Sequence, residues 1–183
     1  MGDLMRKQII FVVAILAVVV FASGCTTSGN STKTYNDSGI SFSYPDNWQK
    51  LGNVTNAQNL VVAFGDPDSM NSSTNLANTF VFVQKIQLPA GYTLKQAQDA
   101  VFAMVKTSDP NFQKISNRTI TVNGLTGYEV TYKENAGGVQ KQEVSAWFAK
   151  NGYIYVVTGS TLPSEFNNQK AKFDAIINSF QLQ

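Results

Sequence analysis

Carboxylates are the side chains of this sequence that could carry acid–base chemistry, because the other usual catalytic types are scarce. The 183-residue chain has no histidine and a single cysteine, Cys25. This composition excludes Ser-His-Asp and Cys-His catalysis, the usual zinc ligand sets and an internal disulfide. We therefore expect no catalytic residue of those classes, no cofactor and no bound metal.

Two glutamates, Glu129 and Glu143, lie on strands that flank a predicted turn. One register of those strands places Glu129 opposite Glu143, where two neighbouring carboxylates would raise one pKa. A shifted register separates them, and Lys133 and Lys141 on the same hairpin favour ordinary cross-strand pairing of opposite charges on a wet face. A carboxylate-based hydrolase would need two of Glu129, Glu134 and Glu143 within a few ångströms at a concave surface.

A short acidic segment resembles the start of a calcium loop, with Asp66, Asp68 and Asn71 supplying oxygen atoms. The match is incomplete. Pro67 stiffens the second position, Met70 stands where an oxygen is needed, and no glutamate closes the loop. We expect a solvated loop here rather than a metal site.

The N-terminus has the pattern of a secretion signal. Arg6 and Lys7 precede an apolar run from Ile9 to Phe21, which as a helix would span about 20 Å, short of the roughly 30 Å hydrocarbon core of a bilayer. Ala22-Ser23-Gly24 directly before Cys25 resembles a lipobox, in which the cysteine is acylated and becomes the new N-terminus. An aliphatic residue is more usual where Ala22 stands, and the same segment would suit an ordinary signal peptidase.

Residues after Cys25 predict a tether that holds one domain near the membrane. Thr26 to Thr34 is small, polar and without a hydrophobic residue, which is typical of a flexible linker. The predicted organisation is a signal peptide over 1–24, a lipidated tether over 25–34 and a domain over 35–183.

Five Asn-x-Ser/Thr sequons are candidate glycosylation sites, which would fit exposed loops in a secretory setting. A chain rich in Asn, Ser and Thr also produces such sequons by chance. They begin at Asn30, Asn36, Asn53, Asn71 and Asn117.

The charge balance argues against nucleic acid as a partner. The net charge is +2, from 14 basic and 12 acidic side chains, and no run of Lys or Arg occurs. A field of that strength does not hold a phosphate backbone by charge alone. With 43% hydrophobic residues, the chain has the composition of an ordinary globular domain.

Hydrophobic periodicity predicts strands and two helices. Alternating apolar residues and Asn-Gly pairs indicate strands joined by hairpins, and Thr93 with Gln96 forms a capping box ahead of a helical pattern. A closing helix follows Pro163. The predicted strands are 40–44, 48–51, 60–64, 79–88, 114–122, 125–133, 139–150 and 153–159, and the first helix is 93–107.

Their order predicts a mainly antiparallel α+β sandwich, with no βαβ alternation. The strand from Tyr153 to Val157 is apolar at both odd and even positions, which point to opposite faces of a sheet. It should therefore lie inside the sheet, with other elements packed on each face. Trp147 and Phe148 should point to opposite faces. Phe42, Tyr44 and Trp48 form an aromatic group that we expect to close one end of the core, although such a group can also stack a sugar or grip a partner.

Four segments extend together over nearly all of the predicted domain: GISFSYPDNWQKL (39–51), VNGLTGYEVTY (122–132), NGYIYVVTGST (151–161) and the terminal FDAIINSF. These segments resemble the PsbP-like family. The resemblance implies a central antiparallel sheet with helices on both faces, an α/β/α sandwich that docks to larger partners rather than performing chemistry. The photosystem partner of the founding member is not carried over.

We therefore expect a non-catalytic, lipid-anchored protein on the outer face of the cytoplasmic membrane that binds or helps assemble an envelope protein. The long polar loop from Asp66 to Asn78 is the first candidate contact surface. The alternative is a lipoprotein that binds a small apolar or sugar-like ligand. The predicted contact residues are Asp66, Asp68, Asn71 and Asn75.

Overall fold

The computed structural model of the protein describes residues 31–52, 59–72 and 76–183. The predicted signal peptide, Cys25, most of the tether, the sequons at Asn30 and Asn53, and Asn75 lie outside these residues. Within the described ranges, no helix is long and apolar enough to cross a membrane.

Twelve strands and two α-helices make up the described part of the chain. The strands are β1 (Thr32–Asp37), β2 (Ile40–Pro45), β3 (Gln49–Lys50), β4 (Leu60–Gly65), β5 (Met70–Asn71), β6 (Leu76–Ala77), β7 (Phe80–Gln87), β8 (Gln113–Val122), β9 (Leu125–Ala136), β10 (Val139–Lys150), β11 (Tyr153–Thr161) and β12 (Gln181–Leu182). The helices are α1 (Leu94–Ser108) and α2 (Phe166–Ser179), and a single 3₁₀ turn covers Pro67–Ser69.

The largest sheet has seven strands in the order β3-β4-β7-β11-β10-β9-β8, and every neighbouring pair is antiparallel. A three-stranded sheet has the order β1-β2-β12, and β5 pairs only with β6. The predicted mainly antiparallel α+β class is therefore confirmed.

Asn-Gly pairs close the two hairpins that the sequence indicated. Asn123 and Gly124 have φ of 47° and 81°, and Asn151 and Gly152 have φ of 53° and 77°. Two successive positive φ angles are the geometry of a type I′ turn, whose twist matches that of the flanking strands. The turns therefore set the registers of β8 with β9 and of β10 with β11.

Successive residues of β10 belong to two different core clusters. The ring of Trp147 lies 5.8 Å from that of Phe102 in α1, whereas the ring of Phe148 lies 5.6 Å from that of Phe180, directly after α2. In β11, every residue from Ile154 to Thr161 is buried. Both expectations, opposite faces for the Trp-Phe pair and an interior position for this strand, are confirmed.

Helix α1 begins where its capping box predicts. The Thr93 hydroxyl accepts the backbone N–H of Gln96, and the Gln96 side chain accepts the backbone N–H of Thr93. The pattern satisfies two helix donors that would otherwise lack partners.

The aromatic group around Pro45 closes the core. Phe42 and Trp48 are 1% and 2% exposed, and the partly buried ring of Tyr44 stacks on Phe64 with centroids 3.9 Å apart. The expected core role is confirmed.

Three small elements were not predicted from the sequence. Strand β1 begins at Thr32 and pairs Lys33 with Tyr44, so the last residues of the predicted tether are strand, and ordered structure starts before Tyr35. The predicted polar loop contains the β5–β6 hairpin, and β12 pairs with β2. Each of these strands is either two residues long or polar, so none shows the alternation of apolar and polar residues that predicts a strand.

We predict that Gly159→Ala destabilises the domain, because a Cβ at this position of β11 would overlap the ring of Phe173 in α2. Overpacking of this kind costs about 1–3 kcal/mol of unfolding free energy. Urea unfolding of the full-length protein, followed by tryptophan fluorescence, measures the loss. Gly52→Ala is the matched control, since its added Cβ meets no atom within 4 Å, and equal stability of the two variants would contradict the packing argument.

Candidate functional site

The register that would bring Glu129 and Glu143 together is not formed. Glu129 lies opposite Ala146 and accepts the Nε–H of Arg118 at 2.9 Å, with the Nη2 atom of Arg118 also at 2.9 Å. Glu143 lies opposite Tyr132. Because side chains alternate along β10, Ala146 and Glu143 point to different faces, and so do the two glutamates.

The structure instead places Glu134 beside Glu143. Glu134 lies opposite Lys141 and Glu143 opposite Tyr132, so these four side chains share one face of the β9–β10 hairpin. Asp109, at the end of α1, faces the same group. We call these five residues the carboxyl cluster. The three acids and Lys141 are only 4–7% exposed, so the expectation of a wet face with mixed charges is wrong.

Hydrogen bonds hold four members of the carboxyl cluster in place. The Tyr132 hydroxyl donates to Glu143 Oε2 at 2.6 Å, and Lys141 Nζ donates to the carbonyl oxygen of Asn78 at 3.0 Å. Asp109 Oδ2 accepts the backbone N–H of Asn135 at 2.7 Å. The last bond ties the end of α1 to β9.

Burial shifts the acid–base properties of the carboxyl cluster. Loss of solvation, followed by repulsion from Glu143 and Asp109, raises the pKa of Glu134 to about 10. Loss of solvation also raises the pKa of Glu143, although the hydrogen bond from Tyr132 opposes this. The pKa of Lys141 is lowered by burial, which attraction to Glu143 opposes. At neutral pH the two glutamates therefore retain at least one proton between them.

The carboxyl cluster contains two carboxyl groups with raised pKa, as a catalytic pair does, but a substrate cannot reach them. A general acid must lie within hydrogen-bond reach of a substrate, and Glu134 and Glu143 are each only 4% exposed. This burial was not predicted, although the sequence contains a signal for it: Glu143 alternates with Ser145 and Trp147 along β10, which places it on a core face.

The predicted contact residues are not equivalent in the structure. Asp66 is 4% exposed, its Oδ1 accepts the backbone N–H of Asp68 at 3.0 Å, and its Oδ2 lies 3.6 Å from Lys172 Nζ. It caps the 3₁₀ turn, and its role in partner contact stays a prediction. Asp68 is exposed, and Asn71 is half-buried in β5. Over the described ranges, no group of three His, Cys, Asp or Glu could hold a metal ion.

Strand β8 forms an accessible edge of the described structure. It is the last strand of the seven-stranded sheet, and among the described residues no strand pairs with its outer side. Residues 113–119 are all exposed. A register shift between Lys114 and Ser116 leaves Ile115 without a partner in β9, and its exposed fraction is 48%.

A groove runs between β8 and α1, with a volume of about 500 Å³. The rings of Phe102 and Phe112 stack in its wall with centroids 5.7 Å apart, and Lys114 Nζ lies 4.9 Å from the centroid of the Phe102 ring. Its remaining lining residues are Asp99, Ala103, Lys106 and Gln113.

Two of the candidate glycosylation sites are exposed within the described residues. Asn36 lies in β1, and Asn117 lies in the middle of β8, where its Nδ2 donates to Gln98 Oε1 at 3.3 Å.

The family profile described as "PsbP-like protein" matches residues 9–182, nearly the whole chain. The chain belongs to the PsbP-like family. No curated protein sequence matches it significantly.

Solved structures share the PsbP-like fold at low sequence identity. Cyanobacterial PsbP (CyanoP) from Synechocystis is 19% identical with a TM-score of 0.63, covering 88% of this chain and 98% of its own. LpqN, involved in cell envelope biogenesis of Mycobacterium tuberculosis, is 13% identical with a TM-score of 0.59, covering 84% and 91%. The Saccharomyces cerevisiae Ran-binding protein Mog1p is 11% identical with a TM-score of 0.54, covering 84% and 96%.

We predict that Glu134→Gln flattens the pH dependence of stability. The folded chain keeps a proton on Glu134 up to a pKa of about 10, whereas the unfolded chain releases it near the ordinary value of 4.5. Between these two pKa values the folded protein binds one more proton than the unfolded chain. The free energy of unfolding therefore falls as pH rises, by up to about 1.4 kcal/mol per pH unit.

Urea unfolding of the full-length protein between pH 6 and pH 9 measures this slope. Glu134→Gln should be less pH-dependent than the parent and more stable at pH 8. Glu165→Gln, which changes an exposed residue, should keep the parental slope. If the unfolding free energies of Glu134→Gln and the parent changed with pH by the same slope, Glu134 would not be the group that holds the extra proton.

Proposed function

We propose that this protein is a non-catalytic lipoprotein of the cell envelope, anchored through Cys25 on the outer face of the cytoplasmic membrane, whose PsbP-like domain binds or helps assemble another envelope protein. The observation that carries the binding role is the exposed edge of β8. An extended segment of a partner can add to such an edge, and main-chain hydrogen bonds then supply affinity.

The fold supports a docking role. We take helices α1 and α2 as covering opposite faces of the seven-stranded sheet, since alternate residues of β10 belong to their two clusters. With both faces covered, the edge of the sheet is the part left for a partner. Two structural relatives, the Ran-binding Mog1p and LpqN of envelope biogenesis, are consistent with protein binding and with an envelope location.

The proposed anchor would keep the domain near the bilayer. With β1 beginning at Thr32, six residues, 26–31, separate it from Cys25. An extended chain covers at most about 3.6 Å per residue, so this tether reaches roughly 20 Å. Two acyl chains on Cys25 would bind the membrane far more firmly than one chain does. Of the two exposed sequons, we propose glycosylation only for Asn36, because a glycan on Asn117 would cover the β8 edge.

A small-molecule ligand is the second candidate, and the groove beside α1 is the observation that favours it. Its volume of about 500 Å³ lies within the range of ligand sites, and two phenylalanine rings line it. An apolar or sugar-like molecule that carries negative charge would suit the lysines at its rim.

We predict that Cys25→Ser changes the fractionation of the protein in cells. Without the thiol, no diacylglycerol can be attached, so the protein should leave the membrane pellet or accumulate as unprocessed precursor. Immunoblotting of membrane and soluble fractions measures this, with Ser23→Ala as the control that keeps the thiol. Normal processing and membrane retention of Cys25→Ser would rule out the anchor.

We predict that a photo-crosslinking residue at Thr119 in β8 captures one envelope protein in intact cells. The same residue at Lys50 in β3, on the opposite edge of the sheet, is the matched control, and a third position at Asp68 tests the contact loop predicted from the sequence. Crosslinking of one protein in stoichiometric yield from Thr119, and not from Lys50 or Asp68, supports β8 as the interface. Capture from Asp68 alone would move the interface to the loop, and capture from no position, with a small molecule co-purifying, would replace partner binding by ligand binding.

A further inference from the structure

We propose that the partner segment bound by β8 is an extended strand rich in acidic residues, with one aromatic or large aliphatic side chain that fills the groove between β8 and α1. This inference rests on the proposed function and specifies the chemistry of the partner. It is carried by the charges of the edge, by the direction of its side chains and by the lining of the groove.

The charge at this edge is positive. Strand β8 contains Lys114 and Arg118 and no acidic residue, and Lys106 of α1 lies on the other side of the groove. Among the described residues, neither Lys106 nor Lys114 has an ion-pair partner. Asp99, the acid that lines the groove, is already paired with Lys95 at 2.5 Å. Two cations are therefore available to carboxylates of a bound segment.

Cations occur on both faces of the edge. Lys114 lies opposite Tyr132, whose ring is 5.1 Å from that of Phe102, so it is on the α1 side. Arg118 lies opposite Glu129 on the other side and bonds its carboxylate, yet its side chain is 63% exposed. A strand added beside β8 alternates its side chains between the same two faces. Acidic residues on either face of that strand would meet a cation.

The groove provides a site for one apolar side chain. Phe102 and Phe112 form an aromatic wall, and the exposed residue Ala103 leaves space above the helix. Lys114 lies over the Phe102 ring, so an anion next to the apolar group would remain close to a positive charge. An aromatic residue with acidic neighbours satisfies both features.

A second copy of this chain does not fit the edge. Two β8 strands side by side would bring together four cationic side chains, Lys114 and Arg118 from each, and no acid from either strand. Like charges on adjacent strands are unfavourable. The edge therefore disfavours its own copy and favours an acidic strand.

The test measures peptide binding to the full-length protein in nanodiscs of phosphatidylcholine. The probe is a fluorescein-labelled nine-residue peptide in which glutamate alternates with valine and the central residue is phenylalanine. A second peptide has lysine at every glutamate position, and a third has alanine in place of phenylalanine. Fluorescence anisotropy at 50 and 300 mM NaCl gives Kd for each.

We expect the acidic peptide to bind at least tenfold more tightly than the basic one, and to weaken as salt rises. Lys114→Glu should weaken it at least tenfold, whereas Lys50→Glu, the same charge change on β3, should alter Kd less than twofold. Ala103→Trp fills the groove and should abolish the advantage of the phenylalanine peptide over the alanine peptide. Ala100→Trp, at a partly exposed position of the same helix that does not line the groove, should preserve that advantage.

Equal binding of acidic and basic peptides, or an unchanged Kd in Lys114→Glu, would overturn the inference. If the acidic peptide shows no preferential binding while a crosslinker at Thr119 still captures an envelope protein in cells, the proposed function stands and the proposed acidic character of the partner segment is wrong. If Thr119 captures nothing either, the proposed function fails as well. A glycan on Asn117, seen as added mass on the peptide that spans β8, would also overturn the inference, because it would cover the edge.

Discussion

Strands β10 and β11 bury side chains on both of their faces, and the positions of the other elements depend on this constraint. A strand in the middle of a sheet can bury both faces only if a layer of apolar residues packs on each side. Trp147 contacts α1 and Phe148 contacts the end of α2. At Gly159 the approach of Phe173 is so close that even a methyl group would overlap its ring. The outer strands β8 and β3 are left at the edges because the central strands are already paired.

Burial of the carboxyl cluster is the energetically unfavourable part of this structure. Glu134 and Glu143 are buried beside one another, and burial of ionised carboxylates is unfavourable unless they are protonated or hydrogen-bonded. The structure uses both means: the pKa of Glu134 is raised to about 10, and Glu143 accepts a hydrogen bond from Tyr132. Asp109 meanwhile joins α1 to β9. The carboxyl cluster therefore fixes the position of α1, which forms one wall of the groove beside β8.

A PsbP-like fold by itself does not specify a partner, because one fold can serve several unrelated functions. What is particular to this chain is the chemistry of its β8 edge. Ile115 projects from an irregular position, Lys114 lies over an aromatic ring, and Lys106 stands across the groove. These features come from two elements, β8 and α1, so a partner would contact both.

The sequence alone determined the longer strands, both helices and the fold class, because those depend on local signals. The Asn-Gly turns, the Thr93 capping box, the doubly apolar strand after Tyr153 and the alternation of Trp147 and Phe148 each act over a few residues, and each prediction is confirmed. Only the tertiary structure decided which glutamates meet, that Asp66 is buried, and that β8 is an open edge. A change of register by one residue turns a side chain to the opposite face without altering local propensity. Pairing order, and hence the location of the edge and the groove, depends on contacts between residues far apart in the chain.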